Sequence, residues 1–290
     1  MKPLEACTAG IAGLGLMGGA LAMALRRIGP RRLLACDIDG DTLTAAKQTG
    51  LIDEGWRTGE GGVSPADMLA QCDLVFLCLN PSALIRFMET SMAAFRPGTL
   101  ITDMAGVKSG VVRYLEKNLR DDLDFIPGHP MAGAEKGGFA NAKLCNFQGK
   151  NYILTPLKRN KPENLDFIRD LIHRMGFGRI TETAAAEHDR CIAFTSQLCH
   201  VIAAALIDCE ADPEITRFGG GSFEDLTRIA KLNAPMWTEL FIENRAELLR
   251  RIDLFEGSLD ALKRLIAGAE EKPLEEKLAL VRDRRTRMRG

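Results

Sequence analysis

"CTAGIAGLGLMGGALAMALRRIG", residues 7–29, decides the fold. It opens with an apolar run of strand length, passes through Gly13-Leu14-Gly15-Leu16-Met17-Gly18, and continues as an apolar helix. This is a G-x-G-x-x-G turn between a strand and a helix. Gly13 permits the tight turn, Gly15 lets the backbone approach a pyrophosphate, and Gly18 lets the helix lie close to the strand. The helix N-terminus then offers unpaired N–H groups and a positive dipole end to phosphate oxygens. The uncharged run from Cys7 to Leu25, preceded by Lys2, imitates a signal peptide or short membrane span. Gly10, Gly13, Gly15, Gly18 and Gly19 break it in an ordered way that strand, turn and helix explain better.

The next unit supports this. "RRLLACDIDGD" puts an acid, Asp37, at the end of the second strand, where it would hold ribose hydroxyls and repel a 2′-phosphate. Asp39 adds charge of the same sign and no Arg follows Asp37 directly, so NAD is favoured over NADP. The competing reading of Asp37 is a helix N-cap or turn residue. Apolar strands 73–79 and 98–103 alternate with helical stretches, so the sheet is doubly wound and mostly parallel. Ligands in such sheets bind beyond the carboxyl ends of the strands. Residues at those ends complete the expected cofactor site: Gly13, Gly15, Leu16, Met17, Gly18, Asp37, Asn80, Pro81 and Asp103.

The bulk numbers set limits. A chain of 290 residues with 46% hydrophobic and 27% charged residues has ample core material. A net charge of −1 argues against nucleic acid or an anionic membrane as the main partner. Eight cysteines occur with no CxxC pair and no zinc spacing, so no metal is expected and the thiols read as reduced and cytoplasmic.

"GHPMAGAEKGG", residues 128–138, reaches the same sheet edge and reads as a loop, being glycine-rich for a helix or strand. It holds His129, one of four histidines. Pro130 biases His129 towards extended backbone. After "NYILTP" the character becomes helical, so the expected division is 1–159, a Rossmann-type dinucleotide-binding domain, and 160–290, an all-helical domain. Residues 187–210 form a long apolar helix, of the kind buried in a core or between subunits. Ser196, Gln197 and His200 share one side of it. Further helices are expected over 222–231, 235–257 and 258–270. "RFGGGSFEDLTRIAK" suggests a close-approach loop opening a helix that carries Arg228, fit for a bidentate grip on a carboxylate. Its competing role is a salt bridge with Asp225. His173 and His188, among charged neighbours, receive no role.

"GLGLMGGALA", "DMAGVKSG", "GHPMAGAEKGG", "NYILTP", "GGGSFEDLTRIA" and "MWTELFIEN" together resemble the prephenate/arogenate dehydrogenase family, in order from about residue 7 to about 270. The resemblance implies NAD-dependent oxidative decarboxylation of prephenate to 4-hydroxyphenylpyruvate, in tyrosine biosynthesis. The alternatives are arogenate to tyrosine, another NAD-linked hydroxy- or imino-acid dehydrogenase, and an inactive NAD-binding regulator. It implies His129 as catalytic base and Arg228, His200, Gln197, Trp237, Asp225 and Gly106 as substrate-binding positions. It also implies a homodimer through the helical half, with no added regulatory domain after 270. Two positions depart from the pattern: Gly106 stands where the family often has Ser, and Gln197 where a second histidine is expected.

Overall fold

The computed structural model describes residues 2–134 and 136–288. In chain order it contains β1 (Thr8–Ala12), α1 (Leu16–Ile28), β2 (Arg32–Asp37), α2 (Gly40–Gln48), β3 (Glu54–Arg57), α3 (Ala66–Leu69) and β4 (Leu74–Leu77). Then come α4 (Pro81–Ser91), β5 (Leu100–Asp103), α5 (Ser109–Asn118), β6 (Asp124–Ile126), β7 (Gly128–Pro130) and β8 (Asn151–Leu154). The rest is α6 (Pro162–Arg174), β9 (Arg179–Glu182), α7 (Ala185–Ile192), α8 (Leu198–Asp208), α9 (Gly221–Thr227), α10 (Ala234–Glu243), α11 (Arg245–Ala267) and α12 (Glu271–Arg287).

β1 to β6 form one parallel sheet in the order β3-β2-β1-β4-β5-β6. β1, β4, β5 and β6 are buried along their whole length, which is why they read as continuous apolar runs. Leu21, Leu25, Ile168, Leu171 and Phe177 cover one face. Met68, Leu84, Met88, Val111 and Leu115 cover the other. The strand order reverses between β1 and β4, so the ligand crevice opens there.

The chain then leaves this sheet at Pro127 and builds a second, three-stranded one in the order β7-β8-β9. His129 lies in β7, opposite Ile153 of β8. The expected loop is therefore a strand at its start: the apolar edge of β8 supplies the pairing that the glycine-rich sequence does not advertise. β8 pairs in parallel with β9, and Ile168, Leu171, Ile172 and Met175 of the α6 region join the core under β1. That packing sets α6 and β9, which follow residue 160, against β8 and the core under β1.

The long apolar stretch is helical from Ala185 to Asp208, with a π-helical turn at Ala193–Gln197 between α7 and α8. By length and composition alone it would cross a membrane, yet only 28% of its apolar window is buried within the chain. Phe194, Leu206 and Ile207 are exposed large apolar side chains on it. The expected helix 235–257 breaks at Asn244, whose side chain is drawn inward, whereas α11 runs unbroken past 258.

At Gly18 an added Cβ would lie 1.8 Å from the Gly13 carbonyl oxygen, so the turn and helix cannot both stay in place with alanine. Gly18→Ala is expected to destabilise the protein by at least about 1–3 kcal/mol. Thermal unfolding with and without NAD⁺ checks this, and an unchanged Tm with unchanged NAD⁺ binding contradicts it.

Candidate active site

The glycine turn has the shape that a dinucleotide needs. Gly13 has φ +90°, and a Cβ there would meet the Cys78 carbonyl oxygen at 2.6 Å. Gly15, before the first turn of α1, has nothing within 4 Å of its would-be Cβ, so its backbone faces open space. Leu16 and Met17 follow, partly exposed. Asp37 accepts the Leu14 N–H on one carboxylate oxygen (2.5 Å) and the Asp39 N–H on the other (2.9 Å). Each oxygen keeps a lone pair for a further donor, so clamping the turn does not exclude holding ribose. The N-cap of α2 is Asp39, not Asp37. Asn80 is exposed beside the buried Pro81 that opens α4.

Asp103, the last of the expected cofactor positions, is bonded within the protein. Its side chain is fully buried. It accepts from Lys108 Nζ at 2.5 Å, from the Ala105 N–H at 2.9 Å and from the Gly128 N–H at 3.0 Å. Lys108, five residues on, turns back to neutralise it, so this carboxylate ties β5, the segment before α5 and β7 together. Lys108 is equally buried; desolvation pulls its pKa down and the Asp103 charge opposes that.

The Gly128 amide brings Asp103 next to His129. His129 Nδ1 lies 2.8 Å from His188 Nε2, and His188 Nδ1 lies 2.7 Å from an Asp189 carboxylate oxygen. Asp189 also accepts the N–H groups of Lys108 and Ser109, each at 2.8 Å. His188, which the sequence left without a role, is thus buried (1% exposed) and bonded on both nitrogens. Burial pushes the His129 pKa well below the ordinary imidazole value, with His188 and Lys108 adding to the effect. Burial also lowers His188, against the pull of Asp189. His129 is therefore neutral near pH 7, the form that accepts a proton.

On the far side of His129 stands Gly106. A Cβ built there would lie 3.9 Å from His129 Nε2 and 3.5 Å from the Leu240 methyls. Leu240 and Trp237, three residues apart on α10, share a face. The Trp237 ring stacks on His200, with centroids 3.7 Å apart. His200 Nδ1 bonds the Ser196 carbonyl (2.9 Å), which leaves Nε2 for another partner. Burial lowers the His200 pKa; the Ser196 bond opposes this and the Arg228 charge adds to it, so Arg228 is near. Arg228 is exposed at the end of α9.

Two further expected substrate positions are Gln197 and Asp225. Gln197 is buried, donates to the Leu240 carbonyl at 2.9 Å and accepts from Asn244 at 2.8 Å. Its amide pins α10 to the π-helical turn. Asp225, the other, is exposed on α9, three residues before Arg228.

Two family models divide the chain between them. "Prephenate dehydrogenase, nucleotide-binding domain" matches residues 21–181, and "Prephenate dehydrogenase, dimerization domain" matches 184–280. The chain belongs to the prephenate dehydrogenase family. A cyclohexadienyl dehydrogenase of Zymomonas mobilis is 31% identical over 270 residues, spanning 90% of this chain and 88% of that one. A prephenate dehydrogenase of Bacillus subtilis is 29% identical over 270 residues, 91% of this chain and 71% of that one. The crystal structure of an A. aeolicus prephenate dehydrogenase with hydroxyphenyl propionate and NAD⁺ superposes with a TM-score of 0.85 at 31% identity, covering 98% and 99% of the two chains. A Synechocystis arogenate dehydrogenase superposes at 0.78 with 27% identity, covering 96% and 99%.

The depressed histidines of this family member carry a pH consequence. In the unfolded chain His129, His188 and His200 protonate near pH 6.5; in the folded chain they resist. Their contribution is fully present above about pH 6.5 and is lost as pH falls through the depressed values. Tm is expected to fall between about pH 7.5 and pH 5.5, and a flat or rising Tm contradicts it. Lys108→Met, which leaves Asp103 buried without its cation, is expected to cost about 3–5 kcal/mol in denaturant titration.

Proposed function

We propose that this chain is an NAD-dependent dehydrogenase that oxidises and decarboxylates prephenate to 4-hydroxyphenylpyruvate. The observation that carries this reading is the position of His129: neutral, with Nε2 turned towards Gly106 and the apolar side chain of Leu240. Family membership gives the reaction class, and its relatives are named for prephenate, arogenate and cyclohexadienyl substrates.

The substrate is a cyclohexadienol with a hydroxyl at C4 and a carboxylate at C1. NAD⁺, when bound, would supply the acceptor for the C4 hydride. His129 Nε2 takes the hydroxyl proton as that hydride leaves. The electron pair of the C1–carboxylate bond enters the ring as CO₂ departs, and the aromatic product makes the step irreversible. Arg228 grips a substrate carboxylate through its planar fork, and His200 and Trp237 wall the pocket. The Gly13–Gly15 turn and the α1 N-terminus would hold the pyrophosphate, and Asp37 the ribose, with Gly18 keeping the helix close to the turn. Leu240 shields the base from water.

The working form in this reading is a cytoplasmic homodimer. The eight cysteines are all unpaired, as in a reducing compartment. Phe194, Leu206 and Ile207 leave an apolar helical face open, in the region matched by the dimerization-domain model.

Purified protein with NAD⁺ is expected to form NADH with prephenate, and arogenate tested in parallel decides between the two substrates. Silence with both, under conditions where NAD⁺ binds, rejects the proposal. His129→Asn is expected to lower kcat about 10²–10⁴-fold at similar KM. Arg228→Ala is expected chiefly to raise KM, and an unmoved KM removes Arg228 from the substrate site.

A further inference from the structure

Asp189 is an acceptor on both oxygens, since it takes the Lys108 and Ser109 amide protons while it faces His188 Nδ1 at 2.7 Å. His188 Nδ1 must therefore carry a hydrogen. A neutral His188 then presents only a lone pair at Nε2. His129 Nδ1 lies 2.8 Å from that lone pair, and two bare nitrogens do not face each other at such a distance. So His129 Nδ1 carries a hydrogen, and the nitrogen left bare is Nε2, the one beside Gly106.

We propose that His188 and Asp189 are positioning residues that hold His129 in its Nδ1–H tautomer, with Nε2 bare towards the reacting hydroxyl, and that they stabilise the imidazolium formed when the proton arrives. The pair touches neither substrate nor cofactor; it acts through His129. This inference rests on His129 being the base of the reaction proposed above.

The surrounding charges fit the second task. The ionisable groups close to the two imidazoles are Asp189 from α7, Lys108 from the segment before α5, and Asp103 from β5. Leu240, the side chain from α10 beside Gly106, is uncharged. Two carboxylates and one ammonium leave a single negative charge while both histidines are neutral. Protonation of His129 therefore brings the buried cluster to neutrality. The proton balance is simple: the hydroxyl O–H bond breaks, the Nε2–H bond forms, and Nδ1–H continues to donate to His188.

The pair also crosses the molecule. His129 sits on β7, whereas His188 and Asp189 sit on α7, the first helix after the last strand. Asn244 holds this helix by donating to the Asp189 carbonyl at 2.9 Å. The base is thus oriented only where the helical region is docked on the sheets.

Nitrogen NMR of the wild-type protein with labelled histidine gives a direct test, and four histidines make assignment tractable. Above the imidazole titration range His129 is expected to show a protonated Nδ1 and a bare Nε2. The opposite tautomer overturns the proposal, whether or not any substrate is turned over. Kinetics give the second test. His188→Leu removes the acceptor, and kcat is expected to fall about 10²–10⁴-fold, approaching the loss seen when a triad histidine loses its orienting partner. His188→Gln keeps an acceptor for Nδ1–H and a donor for Asp189, and is expected to stay within about tenfold of wild type by the same logic. KM and NAD⁺ binding should move little in either variant. Equal kcat in His188→Leu and His188→Gln overturns the proposal. If His188→Leu does not fold, the wild-type tautomer decides alone. Failure of the wild-type enzyme to oxidise either substrate counts against the reaction assigned above and not against the tautomer.

Discussion

The Asp189 carboxylate joins the two halves of this protein. It accepts two backbone N–H groups at the start of α5, where helix geometry leaves amides without intrahelical partners, and one ring N–H from its own neighbour on α7. A buried carboxylate persists only where such donors meet it, so the docking of α7 on α5 and the ionised state of Asp189 require each other. Burial opposes that ionised state, and the hydrogen bonds from His188, Ser109 and Lys108 outweigh it, holding the Asp189 pKa below its ordinary value. Lys108 then leads to Asp103, and Asp103 to the Gly128 amide, one residue before His129. The circuit from Asp189 through His188, His129, Gly128, Asp103 and Lys108 returns to its start. A base held in a closed ring has its place set from both sides of the molecule.

The first half of the fold was legible because its causes are local. Gly13 needs a positive φ, Gly18 needs a missing Cβ, and both demands sit within six residues of chain. Apolar strands buried on both faces look alike whatever surrounds them. His129 was legible through its motif. His188 was not, because Glu187, Asp189 and Arg190 around it read as surface. In the structure Glu187 and Arg190 do pair with each other in solvent, while His188 and Asp189 turn inward on the same helix. Only contact with α5, some 80 residues away in sequence, decides which way they face. Asp103 shows the same limit: a strand-end acid reads as a cofactor ligand, and the lysine that folds back on it is visible only in the structure. Gln197 was expected at the substrate through the resemblance; its bond to Asn244, 47 residues on, is visible only in the structure.

The helical region poses a balance of a different kind. α7, the π-helical turn and α8 carry the inward-facing His188, Asp189 and Gln197 together with the outward-facing Phe194, Leu206 and Ile207. An apolar face left open on a helix that also positions the base is unfavourable in water. Covering it with a second copy, as we propose, would stabilise the same helix that orients His129. Association and catalytic geometry would then share one element.

Gly106 gains meaning from that arrangement. An imidazole base is oriented either from the side of the reacting proton or from behind. The resemblance places a hydroxyl on the reacting side; in this chain that position is a glycine with ordinary backbone and room for a side chain. The rear of the ring is fully built, with His188 and Asp189 bonded in series. A tautomer fixed from behind needs no hydroxyl in front of it. What the missing side chain leaves is space beside Nε2, bounded by the Leu240 methyls, at the place where the substrate hydroxyl must arrive. The glycine thus shifts the orienting work to the rear pair, and on that account the chemistry depends more on His188 here than it would with a serine at position 106.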